Sequence, residues 1–445
     1  MLTKKDVLNN GVRLLTANVA GVESCTVQVF VKAGSRDEKG NTYGLAHFLE
    51  HMVFKGTSRY PSANQISTAA DSVGAEINAS TSKEWTSFYL KVTEKHIKLA
   101  FDLLSDMVLR PNLDPKEIER EKGVIVSEIQ MYEDLPPNRA YSAFEEIMFS
   151  GTDLSHDVAG KKETVTKLTK SEFSEFRERL YKSERMVVAV AGKFDQAQVR
   201  ELAEEYFGTS PTILGVLPGA LPRRKPTRGP FSGVPLRPSP LGSDRVKLIT
   251  KKTEQAHVFL GFPASQLGSK DRYIEAVLAA ILGGGMSSRL FTEVRERRGL
   301  AYYISTVLEH YTDGGYVGAR MGTGVEKSLE AIKIVCAEFE KISNFHSPSV
   351  FFPISNEEMG KSKEYTKGKF ILSLEDTENV SDFIGEDELL EGKHRGIEEV
   401  VKGVDAVTQE DIGRVAKTLF DPKKLKLAVV GPYKDEAKFE NLLGK

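Results

Sequence analysis

The sequence predicts an α+β protein built twice over, as two homologous domains, each a largely antiparallel sheet packed with helices. Three observations carry that prediction. A strand-like CTVQVFVKAGSRDE starting at Cys25 returns as AHVFLGFPASQLGSKD starting at Ala256, and MVVAVAGKFD from Met186 returns as LKLAVVGPYKD from Leu425. Both separations are on the order of 230 to 240 residues, too long for a solenoid repeat and right for duplication of a whole domain. Between the copies, from Thr209 to Asp244, eight of the eighteen prolines fall in a stretch with no hydrophobic period. Proline fixes φ and removes a backbone donor, so this stretch reads as an extended, semi-rigid linker. The division expected is therefore 1–210, a linker at 211–244, and 245–445.

Within each half, strands and helices mix without a regular βαβ alternation, which favours helices laid on an antiparallel sheet. Ser87 to Val92 (SFYLKV) is β-rich and is followed by a helical stripe of Ile97, Phe101, Leu104, Met107 and Val108. In the second half Tyr316 to Arg320 (YVGAR) is followed by Leu329, Ile332, Ile334, Val335 and Phe339.

Composition excludes several classes of function. With 61 Lys and Arg against 63 Asp and Glu the net charge is −2, which leaves no electrostatic footprint for a nucleic acid or an anionic membrane. The 445 residues, 40% of them apolar, are enough for two to three domains with a large core, so disorder is not the default. Two distant cysteines, Cys25 and Cys336, supply neither a disulfide framework nor a thiolate zinc cluster, so any metal must be held by nitrogen and oxygen. The N-terminus has no apolar run of signal-peptide length, and no stretch reaches the roughly 18 apolar residues of a membrane span. A soluble cytoplasmic protein is the expectation.

The chemistry concentrates in NTYGLAHFLEHMVFKG, from Asn41 to Gly56, which opens on cap-type residues and closes on glycine as a helix does. Its interior is apolar apart from His47, Glu50 and His51, whose spacings of three and four put them on one face. A helix apolar nearly all round is a buried one, so these groups need partners other than water. Two imidazoles one turn apart can converge on one ion, while the carboxylate between them reaches a metal-bound water. Two buried histidines bonded to backbone carbonyls are the bland alternative, and the spacing with an intervening glutamate ranks the metal ahead of it. This HxxEH order is the inverzincin signature.

A catalytic zinc needs a third protein ligand and an open fourth position. The segment DPKEIEREKGVIVSEIQMY opens with Asp114 as N-cap, Pro115 at the first helical position and Glu117 closing a capping box. Glu121 and Glu128 fall on the same face as its apolar stripe of Ile118, Ile125 and Ile129. Carboxylates in a buried stripe are costly unless paired or bound to a cation. Glu128 is assigned as third ligand and Glu121 as its supporting carboxylate, against the competing reading of a solvated charged face.

With these residues in view, HFLEHMVFKGT followed some seventy-five residues later by EREKGVIVSEI resembles the pitrilysin/insulinase family of zinc metallopeptidases, in the branch of the mitochondrial processing peptidase and its bacterial relatives. The resemblance covers nearly the whole chain. It implies one zinc per chain bound by His47, His51 and Glu128, with Glu50 as the base, and it supports Glu121. In GGGMSSRLFTEVRERRGLAYYIS it implies that Arg295 and Tyr302 assist the reaction, as donors to an oxyanion or a substrate carbonyl. Read alone, Arg295 would belong to a solvated basic run with Arg297 and Arg298, and Tyr302 to the core. The second half carries no metal set: Val277, Ala280 and Ile281 stand opposite His47, Glu50 and His51, and Lys361 and Gly368 opposite Glu121 and Glu128.

The resemblance further implies a zinc-dependent endopeptidase acting on peptides, unfolded segments or presequences. Its substrates add as a strand along the edge formed here by Ile77 to Thr81, with Asn78 and Ala79 as contacts. It also implies pairing of such two-domain chains into a hollow clamshell, of which this chain is half, as a homodimer or as a heterodimer with a related subunit. The alternative is a non-catalytic core or partner subunit of a processing-peptidase-like complex. Gly283 to Gly285 invite a phosphate-loop reading, but no Gly-Lys-Ser/Thr follows. The segment from Ser343 to Ser355, with His346, has no functional account.

Overall fold

The structure is a computed structural model that describes residues 3–208, 244–344 and 354–443. Most of the proline-rich linker 211–244, and His346 with most of the 343–355 segment, lie outside the described residues.

The first unit is built on a six-stranded sheet. Its strands are β1 (Thr3–Val7), β2 (Arg13–Asn18), β3 (Ser24–Val31), β4 (Glu76–Thr81), β5 (Thr86–Thr93) and β6 (Met186–Gly192), in the order β1-β2-β6-β3-β5-β4. The second unit holds a five-stranded sheet of β7 (Val246–Thr250), β8 (Gln255–Ala264), β9 (Ala301–Tyr311), β10 (Gly314–Gly324) and β11 (Lys426–Gly431), in the order β7-β11-β8-β10-β9. Apart from β1, the two orders are the same order. Each has one parallel pair, β2 with β6 and β7 with β11, and is otherwise antiparallel. The sequence echoes named above are β3 with β8 and β6 with β11, so the duplication is one of sheet topology as well as of residues.

The compact units are not the contiguous halves 1–210 and 245–445. One segment from each half is counted with the other half's sheet: Leu374–His394 belongs with the first unit and Ser127–Asp157 with the second. The reason lies in side-chain matching. In the first unit Val380, Ile384 and Leu389 of helix Thr377–Glu391 fill a core with Leu15, Phe30 and Ala189. The polar residues there are answered in kind: Gln28 donates to Asp382 at 2.7 Å and accepts from Ser381 at 2.5 Å, and Thr26 pairs with Thr377 at 2.8 Å. Gly385 lets this helix approach closely, because a Cβ there would lie 2.3 Å from the Phe30 ring. In the second unit Phe144 of helix Pro136–Met148 stacks on Phe259 of β8, with ring centroids 4.2 Å apart. No composition shift marks either exchange.

Opposite faces of the sheets carry the other helices. In the second unit Val277 and Ile281 of helix Arg272–Gly283 pack with Val258, Leu260 and Phe262 of β8. That helix follows β8 as the helix Leu45–Val53 follows β3, and it holds no histidine. Among the described residues no helix is long and apolar enough to cross a membrane.

Candidate metal centre

The motif helix spans Leu45–Val53 and buries Leu45, Ala46, Phe48, Leu49, Met52 and Val53. His47, Glu50 and His51 occupy the remaining face and are half-buried, so the expectation of three fully buried polar groups is corrected: the helix has one open side. Its start is fixed by residues that the cap-type Asn41 and Thr42 did not announce. Glu38, 6% exposed, accepts from the Gly44 N–H at 2.8 Å and the Ala46 N–H at 2.7 Å, putting a carboxylate on the unsatisfied donors of the first turn. Gly44 is at φ +94°, and a Cβ there would meet the Ala159 carbonyl oxygen at 2.6 Å, so the entry geometry requires glycine twice over. Beyond the helix, Thr57 and Arg59 both donate to Asp106, at 2.5 and 2.7 Å. Burial pushes the Asp106 carboxyl up, but the Thr57, Arg110 and Arg59 donors outweigh it and hold its pKa below the usual carboxylate range.

The second helix, Pro115–Asp134, starts where Asp114 and Pro115 predicted. Asp114 accepts from the Lys116 N–H at 2.9 Å, whereas Glu117 accepts from Arg120 at 2.7 Å, an ion pair where a capping box was expected. Ile118 and Ile125 are essentially inaccessible and Ile129 is 7% exposed, as the stripe implied. Glu121, 3% exposed, accepts from His51 Nδ1 at 2.9 Å and pairs with Lys55 at 2.6 Å. Burial raises the pKa of this carboxyl, but the hydrogen bonds from His51 and Lys55 lower it further, to below its ordinary value. Glu121 is therefore an anion, and it fixes the His51 tautomer with Nδ1 protonated and Nε2 left as donor to a metal.

Glu128 lies two turns along the same unbroken helix from Glu121. Ligand atoms of His47, His51 and Glu128 all lie within 4.8 Å of one another, and this is the one group of its kind among the described residues. The imidazoles of His47 and His51 meet at a centroid distance of 4.7 Å and an angle of 63°. Two imidazole nitrogens and a carboxylate this close suit a tetrahedral divalent ion with a position left open. Glu50 is not in that group. Its Oε2 accepts from Thr81 Oγ1 at 2.5 Å.

A family model described as "Insulinase (Peptidase family M16)" matches residues 13–162, and one described as "Peptidase M16 inactive domain" matches residues 167–350. A protein of Streptomyces coelicolor named as an uncharacterized zinc protease is 34% identical over 97% of this chain and 90% of its own length. The uncharacterized zinc protease YmxG of Bacillus subtilis is 33% identical over 97% of this chain and 98% of its own. The chain belongs to the insulinase family of zinc metallopeptidases, peptidase family M16. The fold agrees: the crystal structure of a protease from Helicobacter pylori superposes with a TM-score of 0.84 over 97% of this insulinase-family chain and 99% of that one, at 22% identity.

The remaining predicted residues fall as follows. Asn78 and Ala79 lie on β4, the outermost strand of its sheet, which pairs with β5 alone. The Ala79 N–H is held by the neighbouring Asn78 Oδ1 at 2.9 Å, so a peptide pairing there has to displace that side chain. Arg295 and Tyr302 lie in the second unit. Arg297 and Arg298 both pair with Glu293, while the Arg295 guanidinium lies over the Phe291 ring, 4.8 Å from its centroid, in a π-helical turn from Phe291 to Glu296. Tyr302, at the start of β9, is 62% exposed, so it is not the core residue that the segment read alone suggested. Sequence reasoning missed Glu38, Lys55 and Thr81. Lys55 carried a signal, since it stands four residues after His51, the distance of one helical turn.

Proposed function

We propose that this protein is a zinc-dependent endopeptidase acting on peptides, unfolded segments or presequences. The observation that carries the reading is the convergence of His47, His51 and Glu128 to within 4.8 Å, with Glu50 beside them on the same helix face and outside the ligand set. Zinc, one per chain, would be held by those three residues and, when bound, would supply a Lewis acid that polarises a carbonyl and lowers the pKa of water to about 7. Glu50 takes the proton from the attacking water and delivers it to the leaving amine. The free edge of β4 holds the substrate in extended form through main-chain hydrogen bonds, which give affinity with little dependence on sequence.

Metal content measured beside cleavage of a quenched-fluorescent peptide tests the reading. About one zinc per chain is expected, with activity lost to a chelator and restored by added zinc. Bound zinc without cleavage of any member of a peptide library would overturn it. The rival reading, a non-catalytic core or partner subunit, has no residue in its favour, because the whole HxxEH set and its supporting Glu121 are retained.

Arg295 and Tyr302 complete the proposal as donors to the developing oxyanion or the substrate carbonyl, contributed by a second copy of the chain in a homodimer. Mixing an Arg295→Ala chain with a Glu50→Gln chain is then expected to restore activity that neither has alone. A mixture as inactive as its components would place both motif sets in one chain's own site.

A further inference from the structure

The contact between Thr81 and Glu50 has no part in metal binding, yet it joins the two features on which the peptidase reading rests. Thr81 is the last residue of β4, the edge proposed to receive the substrate. Its hydroxyl donates to Glu50 Oε2, one oxygen of the proposed base, at 2.5 Å. Both residues belong to the first unit.

The hydroxyl is held by more than its own strand. Thr81 is in register with Thr86 of β5, whose hydroxyl donates to the Ala33 carbonyl at 2.8 Å and whose side chain is fully buried. The turn between them is closed by the Ser82 N–H on the Trp85 carbonyl at 2.8 Å. It is closed again by the Ser82 hydroxyl, which accepts from the Glu84 and Trp85 N–H groups, each at 3.1 Å. Threonine's β-branch restricts χ1, so the donor has few alternative directions. The acceptor is different: the terminal torsion of a glutamate is broad, so a hydrogen bond to one oxygen narrows where the carboxylate points.

We propose that Thr81 is a positioning residue for Glu50, aiming the base from the end of the strand along which the substrate lies. This rests on the peptidase reading and deepens it. Alternate side chains of β4, Ile77, Ala79 and Thr81, are the half-buried ones, while Glu76, Asn78 and Ser80 are exposed. A peptide that displaces Asn78 from the Ala79 N–H therefore engages the strand two residues from the hydroxyl that holds the base. Occupancy of the edge and orientation of Glu50 are linked through three consecutive residues and the hydroxyl at their end, so both ends of this link can be changed separately.

The test compares Thr81→Val, which keeps the branch and removes the donor, with Thr81→Ser, which keeps the donor. In the zinc-loaded protein, Thr81→Val is expected to lower kcat about tenfold, the size of one hydrogen bond lost from an aimed group, with KM and zinc content unchanged. Thr81→Ser is expected to return kcat to near the wild-type value. A merely structural role would raise KM, lower the zinc content or resist rescue by serine. A second readout needs no turnover. In the infrared spectrum of the metal-free protein, the carboxylate band removed by Glu50→Gln is expected to shift in Thr81→Val and to stay in place in Thr81→Ser. Wild-type kcat in Thr81→Val together with an unmoved band would overturn the proposal. A wild-type protein that cleaves nothing would fail the peptidase reading instead, and the infrared comparison would still decide whether Thr81 holds Glu50.

Discussion

Glu50→Gln is expected to keep its zinc and to lose peptide hydrolysis by about 10²- to 10⁴-fold, the range removed with a general base. Glutamine is close to isosteric with glutamate, so the packing of Leu45–Val53 on its buried side is untouched. The Thr81 hydroxyl still finds an acceptor in the amide oxygen. What disappears is a group that can accept a proton and return it. Because Glu50 stands outside the set formed by His47, His51 and Glu128, its loss should leave metal content at the wild-type level. Metal analysis and peptide turnover on one preparation separate the possibilities. Loss of zinc in Glu50→Gln would make Glu50 a ligand, and undiminished turnover would remove it from the chemistry. The effect should appear in kcat, since the residue acts in the transition state and the substrate edge at β4 is left as it was.

What was legible in the sequence, and what was not, follows from the range of the interactions involved. His47, Glu50 and His51 are read from one helix, where a period of 3.6 residues converts spacing directly into a shared face. Glu121 and Glu128 are read the same way, from a second helix whose stripe of Ile118, Ile125 and Ile129 fixes its inward side. That the two helices meet is not in either period; it required the family resemblance, and the structure supplies it through His51 and Glu121 at 2.9 Å. Thr81 had no local signal at all, because its partner is 31 residues away and on another kind of element. Glu38 was hidden for a related reason. A carboxylate that caps a helix from outside the usual N-cap position leaves no motif, and Asn41 and Thr42 looked like better caps than they are. The exchange of helices Pro136–Met148 and Thr377–Glu391 was likewise invisible, since an apolar face announces that it will be buried and says nothing about which sheet will bury it.

Glu121→Gln is expected to weaken zinc binding about 10- to 100-fold, as loss of a hydrogen-bonded carboxylate behind a metal-ligating histidine does. Two partners share this carboxylate. His51 Nδ1 approaches Oε1 at 2.9 Å and Lys55 approaches Oε2 at 2.6 Å. Burial alone would favour the protonated acid, but the two hydrogen bonds more than reverse that and keep Glu121 charged. A charged acceptor on Nδ1 makes Nε2 a better donor to a cation and removes the competing tautomer. The glutamine amide can still accept from Nδ1 but carries no charge, and it leaves the Lys55 ammonium beside His51 without its counterion, which disfavours a second cation. Lys55→Met separates the two contributions: it removes the ammonium and leaves the carboxylate on His51, so its zinc affinity should stay well above that of Glu121→Gln. Chelator competition at a single pH measures all three proteins. Equal affinities for wild type and Glu121→Gln would reduce the His51–Glu121 contact to a packing interaction with no part in holding the metal.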